Sequence, residues 1–166
     1  KEHLERLKCM YGYLKKFRSA AIRVQTDEPE LSGIPAQDYD WCETVYGNVA
    51  EEIPKDYPKP LGKQVTTVTC VDANLQHDLL TGRSVTGVLH FCNQTLIDWY
   101  SKRQACIHTA TFGSEFVAAR ISVDHIMDLC NTLRYLGVPI NTMSYMFEDN
   151  QAVVTNSTHG LTNQPR

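Results

Sequence analysis

The 166-residue chain has 42% hydrophobic and 21% charged residues, enough apolar material for a core and too much for wholesale disorder. No run approaches the roughly 18 consecutive apolar residues of a membrane span, and the opening Lys-Glu-His-Leu-Glu-Arg-Leu-Lys is not a signal peptide. The net charge of −3 is uneven: +5 over residues 1–26, −6 over 27–64 and −2 over the remainder. The chain does not begin with Met, and its first residues read as the inside of a helix, so a fragment of a longer polypeptide is expected.

In chain order, Leu4, Leu7, Tyr11 and Leu14 fall at helical spacing, with Lys8, Lys15, Lys16 and Arg18 off that stripe. Residues 21–26 then alternate like a strand. This piece is too short to bury a core alone and reads as the tail of an upstream domain. Residues 27–64 are acidic and hold five of the seven prolines, the composition of a linker. Tyr39, Trp41 and Tyr46 suggest that part of it docks on a neighbouring surface. The third piece, 65–166, carries most of the pattern.

Val65–Val71 is a β-branched run that predicts a first strand and delivers Asp72 at its end. Thr81-Gly82 predicts a turn, Ser84–Cys92 a second strand, Asn93-Gln94 a hairpin connection, and Leu96–Tyr100 a third strand. Phe116, Ala119, Val123, Ile126, Cys130 and Leu133 step by three and four, predicting a long helix that Gly137-Val-Pro139 stops. Asn141–Phe147 predicts a fourth strand and Gln151–Val154 a further helix start. Three antiparallel strands, a crossover helix, a parallel fourth strand and a helix form an α/β, ribonuclease H-like mixed sheet, here its front part.

In that arrangement Asp72 and Asp149 leave the same edge of the sheet. Glu115, in the first turn of the long helix and just off its apolar stripe, borders them. Three converging acids repel unless divalent cations neutralise them, and magnesium suits carboxylate oxygen while keeping waters that serve as nucleophiles. Acids are also ordinary residues at strand ends and helix starts. The six cysteines are scattered with no C-x-x-C pair, which reads as reduced thiols of an intracellular protein; Cys70, Cys92 and Cys130 read as small hydrophobes. The histidines 77, 90, 108, 125 and 159 read as fold or surface residues.

Residues 71–91, VDANLQHDLLTGRSVTGVLHF, resemble the opening of the ribonuclease H domain of copia-type retrotransposon polyproteins, roughly "DAD-W-a-g-D…RRSTSGYVF". LIDWYSKRQ (96–104) resembles that family's "LISWSSKKQ", TATFGSEFVAA (109–119) its "SSTEAEYIAL", and FEDNQAV (147–153) its "CDNQSAI". These matches run in order across 65–158, and residues 1–24 are similar to the family's end of reverse transcriptase. The resemblance implies hydrolysis of RNA in RNA·DNA hybrids with two magnesium ions, or manganese, held by Asp72, Glu115 and Asp149. It implies a hybrid contact at Gln151, an upstream reverse transcriptase as partner, no membrane, and a cytoplasmic virus-like particle or the nucleus as location. The chain departs from the pattern at Asn74, where the family has Asp, and at Gly113, where it has Glu. The family's fourth acid lies in an "ADILTK" element without counterpart before Arg166. A rival reading is a non-catalytic, nucleic-acid-binding remnant of a decayed element; an integrase-like relative is a third, opposed by the SEF and EDNQ elements.

Overall fold

The structure, a computed structural model, describes residues 2–21, 23–34, 52–141 and 143–158. Its elements are α1 (Glu2–Lys16), β1 (Thr67–Asp78), β2 (Arg83–Cys92), β3 (Thr95–Ile107), α2 (Thr111–Tyr135), β4 (Tyr145–Phe147) and α3 (Gln151–Thr158). The strands form one mixed sheet in the order β3-β2-β1-β4. β1, β2 and β3 are antiparallel neighbours, and β4 lies parallel to β1. The expected order of three strands, helix, strand and helix is therefore observed, with different boundaries.

β1 does not end at Val71. It continues to Asp78 because β2 offers it a partner that far, Asp72 facing Gly87 and Asn74 facing Val85 before an irregularity. The hairpin closes where the Thr81 and Gly82 amides donate to the Asp78 carbonyl, and Gly82 has φ +65°, where a side chain would be strained. The Thr81 hydroxyl, then the Arg103 guanidinium, bond the Asp78 carboxyl and hold it down to about 2. β3 likewise runs beyond Tyr100 to Ile107. The two-residue link Asn93-Gln94 is as expected, and Asn93 is itself buried. Its Oδ1 accepts the Thr66 amide at 2.9 Å and its Nδ2 donates to the Thr26 carbonyl at 2.9 Å.

That bond explains the segment after α1. Among the described residues of 21–26 there is no strand. Gln25 instead exchanges hydrogen bonds with the Thr95 hydroxyl, at 2.7 and 3.0 Å, so side chains at the β2–β3 turn hold the segment where a strand ladder was expected. Leu4, Leu7, Tyr11 and Leu14 of α1 are all exposed. Tyr39, Trp41, Tyr46, Cys42 and His159 lie outside the described residues.

α2 covers one face of the sheet. Val71, Ala73 and Val88 meet Ala118 there, with Tyr100 and Met146 packed around them. Each such buried Val contributes about 1.5–3 kcal/mol. The buried residues of α2 are Ser114, Glu115, Ala118, Ala119, Ser122 and Cys130, whereas Phe116 and Val123 are exposed. Of the expected stripe, Ala119 and Cys130 are buried and Ile126 and Leu133 half-buried, whereas Phe116 and Val123 point away, because the small residues Ser114, Ala118 and Ser122 let the helix backbone approach the sheet. Cys70 is exposed, contrary to its reading as a core hydrophobe, and the five described cysteines are free thiols.

The end of α2 follows the glycine signal. The Gly137 amide donates to the Arg134 carbonyl and the Val138 amide to the Leu133 carbonyl, a Schellman motif with Gly137 at φ +75°. The fourth strand is only Tyr145–Phe147, shorter than expected, preceded by an isolated bridge between Val65 and Ile140. Among the histidines, His90 is buried, bonded through Nδ1 to the Thr69 hydroxyl at 2.9 Å and stacked on His125. Burial holds its imidazole below the ordinary range. No helix among the described residues is long and apolar enough to cross a membrane.

Candidate metal centre

The register of the parallel pair places two of the three expected acids. Cys70 of β1 pairs with Phe147 of β4, where β4 ends. Asp72 and Asp149 each lie two residues beyond that pair, so both emerge at the same level of the sheet edge. Asp72 is thus inside β1, at the point where its neighbour stops, and both acids are exposed. Gly87 opposite Asp72 presents no side chain, which leaves the flank of this carboxylate open.

Glu115 arrives from α2, and its setting differs from the expectation. It is the fifth residue of the helix, outside the first turn, and only 6% exposed. The helix start is fixed by Gln104 of β3, which is itself buried. Its Nε2 donates to the Thr86 hydroxyl at 3.0 Å and to the Ser114 carbonyl at 2.9 Å. The Ser114 hydroxyl closes the turn by donating to the Thr111 carbonyl at 2.8 Å. Gln104 therefore pins the residue next to Glu115 to the sheet. At Gly113 a Cβ would stand 2.7 Å from Nδ1 of His108, so no side chain fits there without displacing that ring.

One carboxylate oxygen from each of Asp72, Glu115 and Asp149 lies within 4.8 Å of the others. Burial is the largest influence on Glu115, followed by the charges of Glu148 and Asp72; the Ala73 amide opposes them by donating to the carboxylate, and Asp149 adds to the rise. Together they push its carboxyl up to about 7. Its Oε2 is buried with no hydrogen-bond partner. A carboxylate nearly removed from water, with one unpartnered oxygen and other acids close by, fits a divalent cation, which supplies the missing charge.

Glu148 escaped the sequence reading. It is adjacent to Asp149, and consecutive strand residues point to opposite faces. Because β4 stops at Phe147, the chain turns instead, and Glu148 joins the acids. Its carboxyl is raised chiefly by burial and then by the charges of Asp149 and Asp72, against the Asn150 amide that bonds it. Asn150 next caps α3, its Oδ1 accepting the Ala152 and Val153 amides. Gln151, the first residue of α3, is exposed and bonds its own helix through Thr155 at 3.4 Å; it is outside the carboxylate cluster. Asn74 is also outside it, its amide bonded to His77 at 3.0 Å.

Fold and site together define a mixed α/β unit with carboxylates at a sheet edge that could hold a metal ion. Comparison with family models, curated proteins and solved structures finds no match to this chain.

Proposed function

We propose that the chain is the ribonuclease H part of a copia-type retrotransposon polyprotein, hydrolysing the RNA strand of RNA·DNA hybrids with magnesium. The observation that carries this reading is the meeting of Asp72, Glu115 and Asp149 from β1, α2 and the turn after β4. These are the same three positions on which the resemblance places the metal-binding acids. The sheet order, with β4 parallel to β1 and α2 between them in sequence, supports the ribonuclease H-like assignment.

Asp72, Glu115 and Asp149 would hold the cations. When bound, magnesium supplies an activated water and stabilisation of the leaving oxygen. The chain's own residues do the remainder. Asp72 and Asp149 are exposed, so a phosphodiester backbone can approach them past the bare Gly87. Buried Glu115, fixed through Ser114 and Gln104, keeps one wall of the site rigid. Gln151, on the exposed start of α3, would meet the hybrid through its 2′-hydroxyls and groove shape. The uncovered apolar stripe of α1 fits docking on an upstream reverse transcriptase, and a cytoplasmic virus-like particle is the matching location.

The test incubates a labelled RNA·DNA hybrid with the chain and magnesium or manganese. The expected result is slow, metal-dependent cutting of the RNA strand only, because the chain carries three of the four acids that the resemblance implies. Asp72→Asn should reduce it at least about a hundredfold, since even residues that merely orient ligands cost 10–100-fold. Equal rates in the variant refute the nuclease. Hybrid binding without metal-dependent cutting by the wild type would replace it with the non-catalytic binding remnant.

A further inference from the structure

Apart from the acids, the far end of β3 brings a thiol and an imidazole together. The β2–β3 ladder is irregular between the pairs Val85–Arg103 and Arg83–Ile107, so Ser84 of β2 faces Gln104, Ala105 and Cys106 of β3. A bulge of this kind re-aims side chains, and Cys106 is exposed on it. Its Sγ lies 3.0 Å from Nε2 of His108. The ring is held in that position. A Cβ at Gly113 would stand 2.7 Å from its Nδ1 and 3.3 Å from its Cγ, so the imidazole rests against bare backbone in the first turn of α2. On the other side the Gln76 side-chain amide donates to the His108 carbonyl at 3.4 Å, and the Gln76 backbone amide donates to the Ser84 hydroxyl at 3.2 Å. With Nδ1 turned to Gly113, Nε2 is the nitrogen left to meet the thiol.

We propose that Cys106 and His108 form a nucleophilic thiol–imidazole pair, a modification site at which a small hydroperoxide oxidises the thiol to a sulfenic acid. A thiol becomes a nucleophile when a base within hydrogen-bond reach takes its proton, and Nε2 of His108 has that reach. The sulfur attacks one peroxide oxygen; the S–O bond forms as the O–O bond breaks. The thiol proton passes to Nε2 and then to the leaving oxygen, which departs from hydrogen peroxide as water. Sulfur gives up two electrons and the peroxide takes them. Among the described residues, Cys9 and Cys70 are equally exposed, yet neither sulfur meets an imidazole. The pair depends on a position where this chain departs from the family it resembles: a side chain at 113 would displace the ring, and here the residue is glycine. The inference is independent of the cation site.

The experiment treats the native chain with hydrogen peroxide, traps sulfenic acids with dimedone, and follows labelling of each cysteine by peptide mass spectrometry. Cys106 should be labelled about tenfold faster than Cys9 and Cys70; a positioned base contributes roughly 10²–10⁴-fold, and a pair open to water falls below that range. His108→Gln, which keeps bulk and removes the base, should bring Cys106 down to the rate of Cys9. Gly113→Ala, which pushes the ring aside, should do most of the same. Cys130, buried in α2, stays unlabelled while the fold is intact and so reports folding in each variant. In urea the wild-type advantage of Cys106 should vanish. A native Cys106 no faster than Cys9 and Cys70 overturns the proposal. So does a Cys106 that keeps its rate in His108→Gln with Cys130 still protected, because the imidazole then contributes nothing.

Discussion

Replacing Glu115 by Gln should stabilise the metal-free protein, and only above acidic pH. The rise of this carboxyl from 4.5 to about 7 corresponds to about 3 kcal/mol held against its charged form, at roughly 1.4 kcal/mol per pH unit. Glu148 shares that cost and solvent reaches the exposed acids beside it, so the expected effect is about 2 kcal/mol. The native state binds this proton more tightly than the unfolded chain. Its contribution is therefore complete below pH 4.5 and lost as pH rises through about 7. Glutamine imitates the protonated form at every pH and should show no such loss. Urea unfolding in EDTA across this range should give similar stabilities for the two proteins near the acid end and a gain for Glu115→Gln near pH 8, by about 2 kcal/mol. Saturating magnesium should raise the wild type and leave the variant unmoved. Parallel pH profiles in EDTA, or a variant less stable near the alkaline end, would refute the assignment of Glu115 as a buried, crowded acid.

Gln104→Ala should cost about 2–3 kcal/mol in urea unfolding, because it removes the buried donor that joins the Thr86 hydroxyl to the Ser114 carbonyl and opens a cavity, and it should also weaken manganese binding measured by titration. Unchanged binding would separate Gln104 from the site. Gly137→Ala should cost about 1–2 kcal/mol, since a side chain at positive φ strains the Schellman turn; urea midpoints check it, and manganese affinity should be unaltered.

The sheet was legible because its signals are local. The β-branched run before Asp72, the Asn93-Gln94 link and the Gly137 stop each act through backbone geometry that a few residues determine. Strand ends were less legible, since pairing decides them. β1 and β3 continue because a partner strand remains alongside, and β4 is cut to three residues although its sequence favours more. The segment after α1 alternates as a strand should. Its described residues form no ladder, because Asn93 and Thr95 satisfy their backbone from the side.

α2 departs from its expected face at Phe116 and Val123, for a reason that bears on the site. Hydrophobic spacing favours Phe116 and Val123 as inward residues, yet helix-to-sheet distance is set by volume, and Ser114, Ala118 and Ser122 permit a closer approach than aromatic rings. Two hydrogen bonds make the serines acceptable inside: Ser114 to Thr111, and Ser122 to the Ala118 carbonyl at 3.0 Å. That closer approach carries Glu115 from the border of the core into it. The buried acid and the raised proton affinity are thus consequences of the same small residues that seat the helix. Were α2 held by Phe116 and Val123, Glu115 would turn away from β1, and the Ala73 amide and the neighbouring carboxylates would lose the group that now connects them.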